Sequence, residues 1–313
     1  MDTPAFLPLP LGTDRRAGVE IEFGGLTETE AARIARDTLG GETMASGDHE
    51  LRLTGSMLGD LEIYLDTALR DRLDGPLAEI GLDLSRTVVP IEIVTPPLTF
   101  DQLPQVDHLC AALRTAGAIG TRDGIFLGFG LHLNPEIPGP GIADLLPTLT
   151  AYALLEDRLR YGGEMDVARR VLPFSDPFPR GFVDCLAGAR DWTLDDLFDA
   201  CLSHNATRNR GLDMLPVLAH LDEDRVAQAL DGLGAISARP AWHYRLPDCR
   251  IDEPAWSVAA EWNRWVLVER IAADADVLDR LKTAWQDHRA ALTTLRPDWR
   301  AQVGEILAQA GLT

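Results

Sequence analysis

In "GVEIEFGG" (18–25) Val19, Ile21 and Phe23 alternate with Glu20 and Glu22. Residues i and i+2 of a strand share a face, so the two glutamates point together, away from the apolar three. "VPIEIVT" (89–95) repeats the pattern, with Glu92 opposed to Ile91 and Ile93. "GDLEIYLD" (59–66) puts Glu62, Tyr64 and Asp66 on one face and Leu61, Ile63 and Leu65 on the other. "GFGLHLNPE" (128–136) sets His132 and Asn134 against Leu131 and Leu133. A sheet with one solvated face also alternates in this way. Such a face usually mixes Thr, Lys, Arg and Ser, whereas these positions carry Glu, Asp, His and Asn. Carboxylates that converge on neighbouring strands repel one another and need cations to stay ionised. Hard divalent ions such as Mg²⁺ or Mn²⁺ suit oxygen and imidazole donors. The expectation is a metal-lined sheet face built from Glu20, Glu22, Glu92, His132, Glu62 and Asp66.

The elements that must position these groups follow from the same periodicities. "TETEAARIARDTLGG" (27–41) predicts an amphipathic helix, with Thr27 as N-cap, Glu30 as its capping-box partner and Gly40-Gly41 at its end. Residues 49–66 predict two strands joined near Gly55 to Gly59, and 88–98 another strand, stopped by Pro96-Pro97. A helix is expected over 101–117 and a strand over 124–136. From 141 to about 235 the pattern is helical, a strand returns at 240–251, and the rest is helical, with Trp256, Trp262 and Trp265 as a packed stripe. The fold class is α+β: a mostly antiparallel sheet with helices on one face and a helical C-terminal region. The returning strand argues for one unit over 1–313, in which a strand-rich part (16–136) is followed by a helical insertion (141–235), a strand (239–251) and C-terminal helices (255–313).

Composition narrows the classes of function. The 313 residues are 46% hydrophobic and 25% charged, a globular balance with no run that could span a bilayer. The N-terminus lacks the basic start and continuous apolar core of a signal peptide, so a cytoplasmic protein is expected. The net charge of −20, from 49 acids and 29 bases, argues against a nucleic-acid partner. Lys282 is the only lysine, so a cationic group in an active site must be arginine. No G-x-x-x-x-G-K-[ST] phosphate loop occurs. Cys110, Cys185, Cys201 and Cys249 are scattered, without a C-x-x-C pair, which gives no zinc or redox motif.

Taken in order, "GVEIEFGGL", "PIEIVTPPL", "GLHLNP", "NATRNRGLDMLP" (205–216) and "RPAWHYRLPDCRIDEPAWSVAAEWNRWV" (239–266) resemble the amidoligase family of the carboxylate–amine ligase superfamily, over residues 16 to 275 or so. Glutamine synthetase and glutamate–cysteine ligase belong to that superfamily. The resemblance implies a curved, glutamine synthetase-like sheet with helices on its convex face and ATP and Mg²⁺ or Mn²⁺ on its concave face. It implies formation of an amide or peptide bond through an acyl phosphate. It assigns metal ligation to Glu20, Glu22, Glu92 and His132. A late strand with a glutamate and an arginine has its counterpart in His243-Tyr244-Arg245, where His243 replaces the glutamate as ligand and Arg245 is the phosphate-binding arginine. Phosphoryl transfer needs cationic clamps, and arginine binds phosphate as a planar fork. Arg245, Arg208 and Arg210 are the catalytic candidates, and Arg239 and Arg250 the further phosphate contacts. Asn134 and Trp242 are candidate nucleotide contacts, Trp242 by stacking on adenine.

Each of these has a plainer reading: Arg208 and Arg210 pairing with Asp213 or capping helices, Arg250 pairing with Asp252 or Glu253, Trp242 as core. The substrates implied are a small-molecule or peptide carboxylate and an amine, with a separate amidotransferase partner as one source of ammonia. The alternatives are a metal-dependent hydrolase using the same carboxylates and histidine, or a non-catalytic relative.

Overall fold

The alternating segments pair into a single antiparallel sheet. Its strands are β1 (Ala17–Phe23), β2 (Glu42–Gly47), β3 (Glu50–Ser56), β4 (Gly59–Leu65), β5 (Ile91–Val94), β6 (Leu131–Pro135), β7 (Leu212–Asp213) and β8 (His243–Tyr244), in the order β2-β3-β4-β5-β1-β6-β8-β7. The structure is a computed structural model that describes residues 4–65, 90–121, 128–162, 176–230 and 236–312, with the backbone alone at 161 and 162. Asp66, expected as a ligand, lies outside the described residues.

Ten α-helices accompany the sheet among the described residues: α1 (Glu28–Leu39), α2 (Leu103–Thr115), α3 (Ile142–Gly162), α4 (Arg180–Gly188), α5 (Leu194–His204), α6 (Leu215–Leu221), α7 (Glu223–Ala229), α8 (Val258–Ala273), α9 (Ala275–Ala290) and α10 (Arg296–Gln309). The architecture is therefore α+β, as the pattern predicts. No described helix is long and apolar enough to cross a membrane.

The apolar half of each strand makes the core. Val19, Ile21, Phe23, Leu61, Ile63, Ile91, Ile93, Leu131 and Leu133 are all 0% exposed. Burying a side chain of this size contributes about 1.5–3 kcal/mol, so the register is strongly specified: a one-residue slip would turn every one of them outward. Helix α1 packs on β3 and β4 through Ala31, Ala32, Ile34, Ala35 and Leu39. Its capping box forms as expected, with Glu30 N–H donating to Thr27 Oγ1 (3.2 Å) and Thr27 N–H to Glu30 Oε2 (2.9 Å). At its end Gly41 has φ 91°, and a Cβ there would stand 2.5 Å from the Thr54 carbonyl oxygen, so only glycine fits. On the far side of the sheet's centre, Trp265 of α8 lies against Tyr244 (ring centroids 5.3 Å apart) and Trp242 (6.0 Å). Of the tryptophan stripe, Trp265 is the floor beneath β8, while Trp262 packs against Phe6 and donates to the Leu7 carbonyl (2.8 Å).

Three expectations are corrected. Strand β2 was not anticipated, because all six of its residues are exposed and it has no apolar face to alternate. Strand β7 interrupts the helical region and is only two residues long. The returning strand is also shorter than 240–251. Its ladder is confined to His243–Tyr244, flanked by isolated bridges from Ala241 to Glu136 and from Asp248 to Gly130. Pro240 and Pro247 border this stretch, and proline cannot donate to a ladder.

Candidate active site

Strand β1 is central, and its polar face is shared with both neighbours. Glu20 pairs with Val94 on β5 and His132 on β6, and Glu22 pairs with Glu92 on β5. Tyr64 of β4 is the partner of Glu92 on its other side. Beyond β6 the register sets Leu133 opposite Tyr244, so the antiparallel ladder brings Asn134 beside His243 and His132 beside Arg245. Asp213 of β7 is the partner of His243. The result is a polar surface running from Tyr64 to Asp213 across six strands, with β7 as its rim.

This surface is covered, not solvated. Glu20, Glu22, Glu92, His132, Asn134, His243 and Asp213 are all buried. They satisfy one another. Nδ1 of His132 is 2.8 Å from Glu20 Oε2, and its Nε2 is 3.5 Å from Glu22 Oε1. Asn134 Nδ2 donates to Glu20 Oε1 (2.8 Å), and its Oδ1 is 2.6 Å from His243 Nδ1. Arg239 Nη2 lies 2.8 Å from the same His243 nitrogen and 3.3 Å from Glu20 Oε1. The Gly130 N–H donates to Glu22 Oε2 (2.6 Å), and the Tyr64 hydroxyl donates to Glu92 Oε2 (2.7 Å). The rings of His132 and His243 meet edge to face at 5.3 Å.

Two sets of potential metal donors result: Glu20, His132 and His243, and Glu22, Glu92 and His132, with the donor atoms of each set within 4.8 Å of one another. A divalent cation fits this mixture of carboxylate and imidazole. The space is also suitable. A Cβ built on Gly130 would stand 2.7 Å from His132 Nε2 and 3.3 Å from Glu22 Oε2, so glycine leaves room where two donors meet.

The electrostatics follow from burial and pairing. Burial alone would raise the Glu20 carboxyl, but the hydrogen bond from His132 and the charges of His243, His132 and Arg239 outweigh it and hold it well below the ordinary range. Burial pushes the His243 imidazole well below its ordinary value, against the pull of Glu20. Burial lifts the Asp213 carboxyl, against the pull of Arg245, the Leu215 N–H and Arg208.

The chain belongs to the amidoligase family. A family model described as "Putative amidoligase enzyme" matches residues 13–267. No curated protein and no solved structure gives a match. In this family member the donors Glu20, Glu22, Glu92, His132 and His243 come together. Glu62 does not join them: it is exposed, and Val94 separates it from Glu20 in the row. Arg239 touches Glu20 and His243, and its buried Nε finds no acceptor among the described residues.

Arg245 stands on the rim beside His132, with Nη1 donating to the Arg208 carbonyl (2.7 Å). Arg208 donates from Nε to Asp213 Oδ2 (3.3 Å). That ion pair is the plainer reading of Arg208, and the plainer readings of Arg250 and Trp242 hold as well, whereas Arg210 finds partners other than Asp213. Arg210 is tied to Asn205 Oδ1 (2.6 Å) and the Pro177 carbonyl (3.1 Å). Arg250 makes a two-pronged pair with Glu253 (2.7 and 2.5 Å). Trp242 is 0% exposed, which leaves no ring face for a nucleotide.

Tyr64 and Gly130 line the candidate site although pattern reading assigned them no role, and Asp213 was read only as a pairing partner for Arg208 or Arg210. The signal for Tyr64 was present, since it shares a face with Glu62. That for Gly130 was not, because it depends on the cross-strand neighbour Glu22.

Proposed function

We propose that this amidoligase is an ATP-dependent carboxylate–amine ligase acting on the sheet face around His132. The reading rests on family membership and on one observation above all: two overlapping carboxylate–histidine donor sets buried on the central sheet face, with Arg208, Arg239 and Arg245 beside them. In the proposed reaction a substrate carboxylate oxygen attacks the γ-phosphorus of ATP and ADP leaves. An amine then attacks the acyl carbon, phosphate leaves and the amine nitrogen loses a proton. Glu20, Glu22, Glu92, His132 and His243 would hold Mg²⁺ or Mn²⁺. Bound there, the cations would neutralise the β- and γ-phosphates and polarise the transferring phosphoryl group.

The chain's own groups supply the rest. Arg245 and Arg208 bring guanidinium charge to the rim, and removing one such stabiliser costs about 3 kcal/mol of barrier lowering. Asp213 orients Arg208, and Asn134 braces Glu20. Burial of the face limits water, which would otherwise compete with the amine for the acyl phosphate. We read the sheet as glutamine synthetase-like and residues 1–313 as one catalytic unit, because β7 inside the helical insertion and β8 after it complete the same face.

Thermal unfolding with ATP, with Mg²⁺ and with both tests this reading, alongside Glu92→Ala. Ligand at about 100 times its Kd adds close to 2.7 kcal/mol. A rise in Tm that needs both components and vanishes in Glu92→Ala supports the proposal. Failure of ATP and Mg²⁺ together to shift Tm, with no ADP released in the presence of carboxylate and amine libraries, overturns it. Nucleotide-free, metal-dependent cleavage would replace ligation by hydrolysis.

A further inference from the structure

We propose that Arg239 is a tethered counter-cation for the Glu20–His132–His243 donor set, so that the two donor sets fill unequally. A divalent ion enters Glu22–Glu92–His132 directly, and enters the other set only when the Arg239 guanidinium leaves it. The inference rests on a juxtaposition. Nη2 of Arg239 lies 2.8 Å from His243 Nδ1 and 3.3 Å from Glu20 Oε1. A fixed positive charge therefore already stands against two of the three donors of that set.

A buried carboxylate needs a partner charge, and Arg239 brings one to Glu20. A divalent ion held by Glu20 and His243 would be next to that guanidinium. Like charges so close repel strongly where water is excluded, so the ion and the guanidinium compete for one place.

The second set has a different surrounding. Glu22 accepts from the Gly130 N–H (2.6 Å) and Glu92 from the Tyr64 hydroxyl (2.7 Å), both neutral donors. Glu22 and Glu92 are direct cross-strand partners, and two carboxylates side by side favour a cation between them.

Arg239 is also free to move. Its side chain is 30% exposed, against 11% for that of Glu20. One nitrogen makes both contacts, and the buried Nε finds no acceptor among the described residues. Arg250, by contrast, is gripped through two nitrogens by Glu253. The backbone of Arg239 is anchored, with its N–H donating to the Pro216 carbonyl (3.1 Å) and Pro240 following it in the chain. The guanidinium can therefore swing toward solvent while β8 stays in place.

This inference rests on the metal reading given under Proposed function, and Mn²⁺ titration of the nucleotide-free protein, followed by EPR, separates the two. The wild type should take one ion tightly and a second much more weakly. Arg239→Met keeps the stem and removes the charge, and Arg239→Gln removes the charge with a different side chain. Each should bind the first ion as the wild type does and the second at least about tenfold more tightly. Adding His243→Gln to Arg239→Met should abolish that gain. Two ions of equal affinity in the wild type overturn the inference, and that count needs no variant. So does a second-ion affinity unchanged in both uncharged variants, or a gain confined to the first ion. Each of these results leaves the metal reading standing. If neither the wild type nor the variants bind Mn²⁺, the metal reading falls and the inference with it.

Discussion

Glu20 and His132 are direct cross-strand partners, and the His132 Nδ1 lies 2.8 Å from Glu20 Oε2 while its Nε2 faces Glu22 Oε1 at 3.5 Å. A carboxylate behind a histidine fixes the ring and raises its basicity as a ligand. The other oxygen of Glu20 already accepts from Asn134. Glu20→Gln leaves one oxygen for two donors, so either His132 or Asn134 loses its partner. Mn²⁺ affinity should fall about 10–100-fold, read by EPR titration. Unchanged affinity would mean that Glu20 neither binds nor orients anything at the metal site.

Gly130 supplies the sharpest steric test. A Cβ at this position would lie 2.7 Å from His132 Nε2, and the ring cannot retreat freely because the residue is 5% exposed and tied to Glu20. Gly130→Ala should cost about 1–3 kcal/mol of stability, as overpacking generally does. It should abolish the Mn²⁺ response of Tm. A variant that keeps the full response would show that the space beside His132 Nε2 is not where the cation goes.

How much of this was legible beforehand differs from residue to residue. The period-2 strands placed Glu20, Glu22, Glu92 and His132 on one face, because apolar burial of Val19, Ile21, Phe23, Ile91, Ile93, Leu131 and Leu133 leaves no other register. Thr27 and Glu30 announced α1 through a local motif that needs no tertiary partner. Strand β2 was illegible because all its residues are exposed, and β7 because two residues carry no period. The arginines show the limit most clearly. Arg239, Arg245, Arg210 and Arg250 look alike in sequence, yet the first two stand by the histidines and the last two are committed to Asn205 and Glu253. Only the fold of the loops around β7 and β8 separates them.

Acid should destabilise the metal-free protein in a window set by His243. Burial depresses its pKa in the folded state, while in the unfolded chain it returns to the ordinary 6.5. Between the two values the unfolded state binds the extra proton, so stability rises with pH there and is flat above 6.5 as far as this group is concerned. The slope for one proton is at most about 1.4 kcal/mol per pH unit. Glu20, also depressed, acts lower, below its ordinary 4.5. Urea unfolding from pH 7.5 down to pH 5 should therefore show a loss in the wild type that is smaller in His243→Gln. Parallel curves for the two proteins would contradict the burial argument.

Asp213 stands between Arg208 and the candidate metal donor His243. It is 1% exposed, accepts from the Leu215 N–H (3.0 Å) and from Arg208 Nε (3.3 Å), and pairs across the ladder with His243. Asp213→Asn can still accept from Leu215, but its amide hydrogens or its lost charge weaken the hold on Arg208. A hydrogen bond to a charged group contributes about 1.5–3 kcal/mol, which bounds the expected loss in urea unfolding. The Mn²⁺ affinity should stay at the wild-type value, because no donor of either set is touched. The ATP-dependent part of the Tm shift should shrink, because Arg208 is no longer aimed. If Mn²⁺ binding falls as far as in Glu20→Gln, Asp213 acts through His243 and the rim and the metal donors are one unit. If neither binding response changes, Arg208 has no part in holding phosphate, and Arg239 and Arg245 must carry that charge alone.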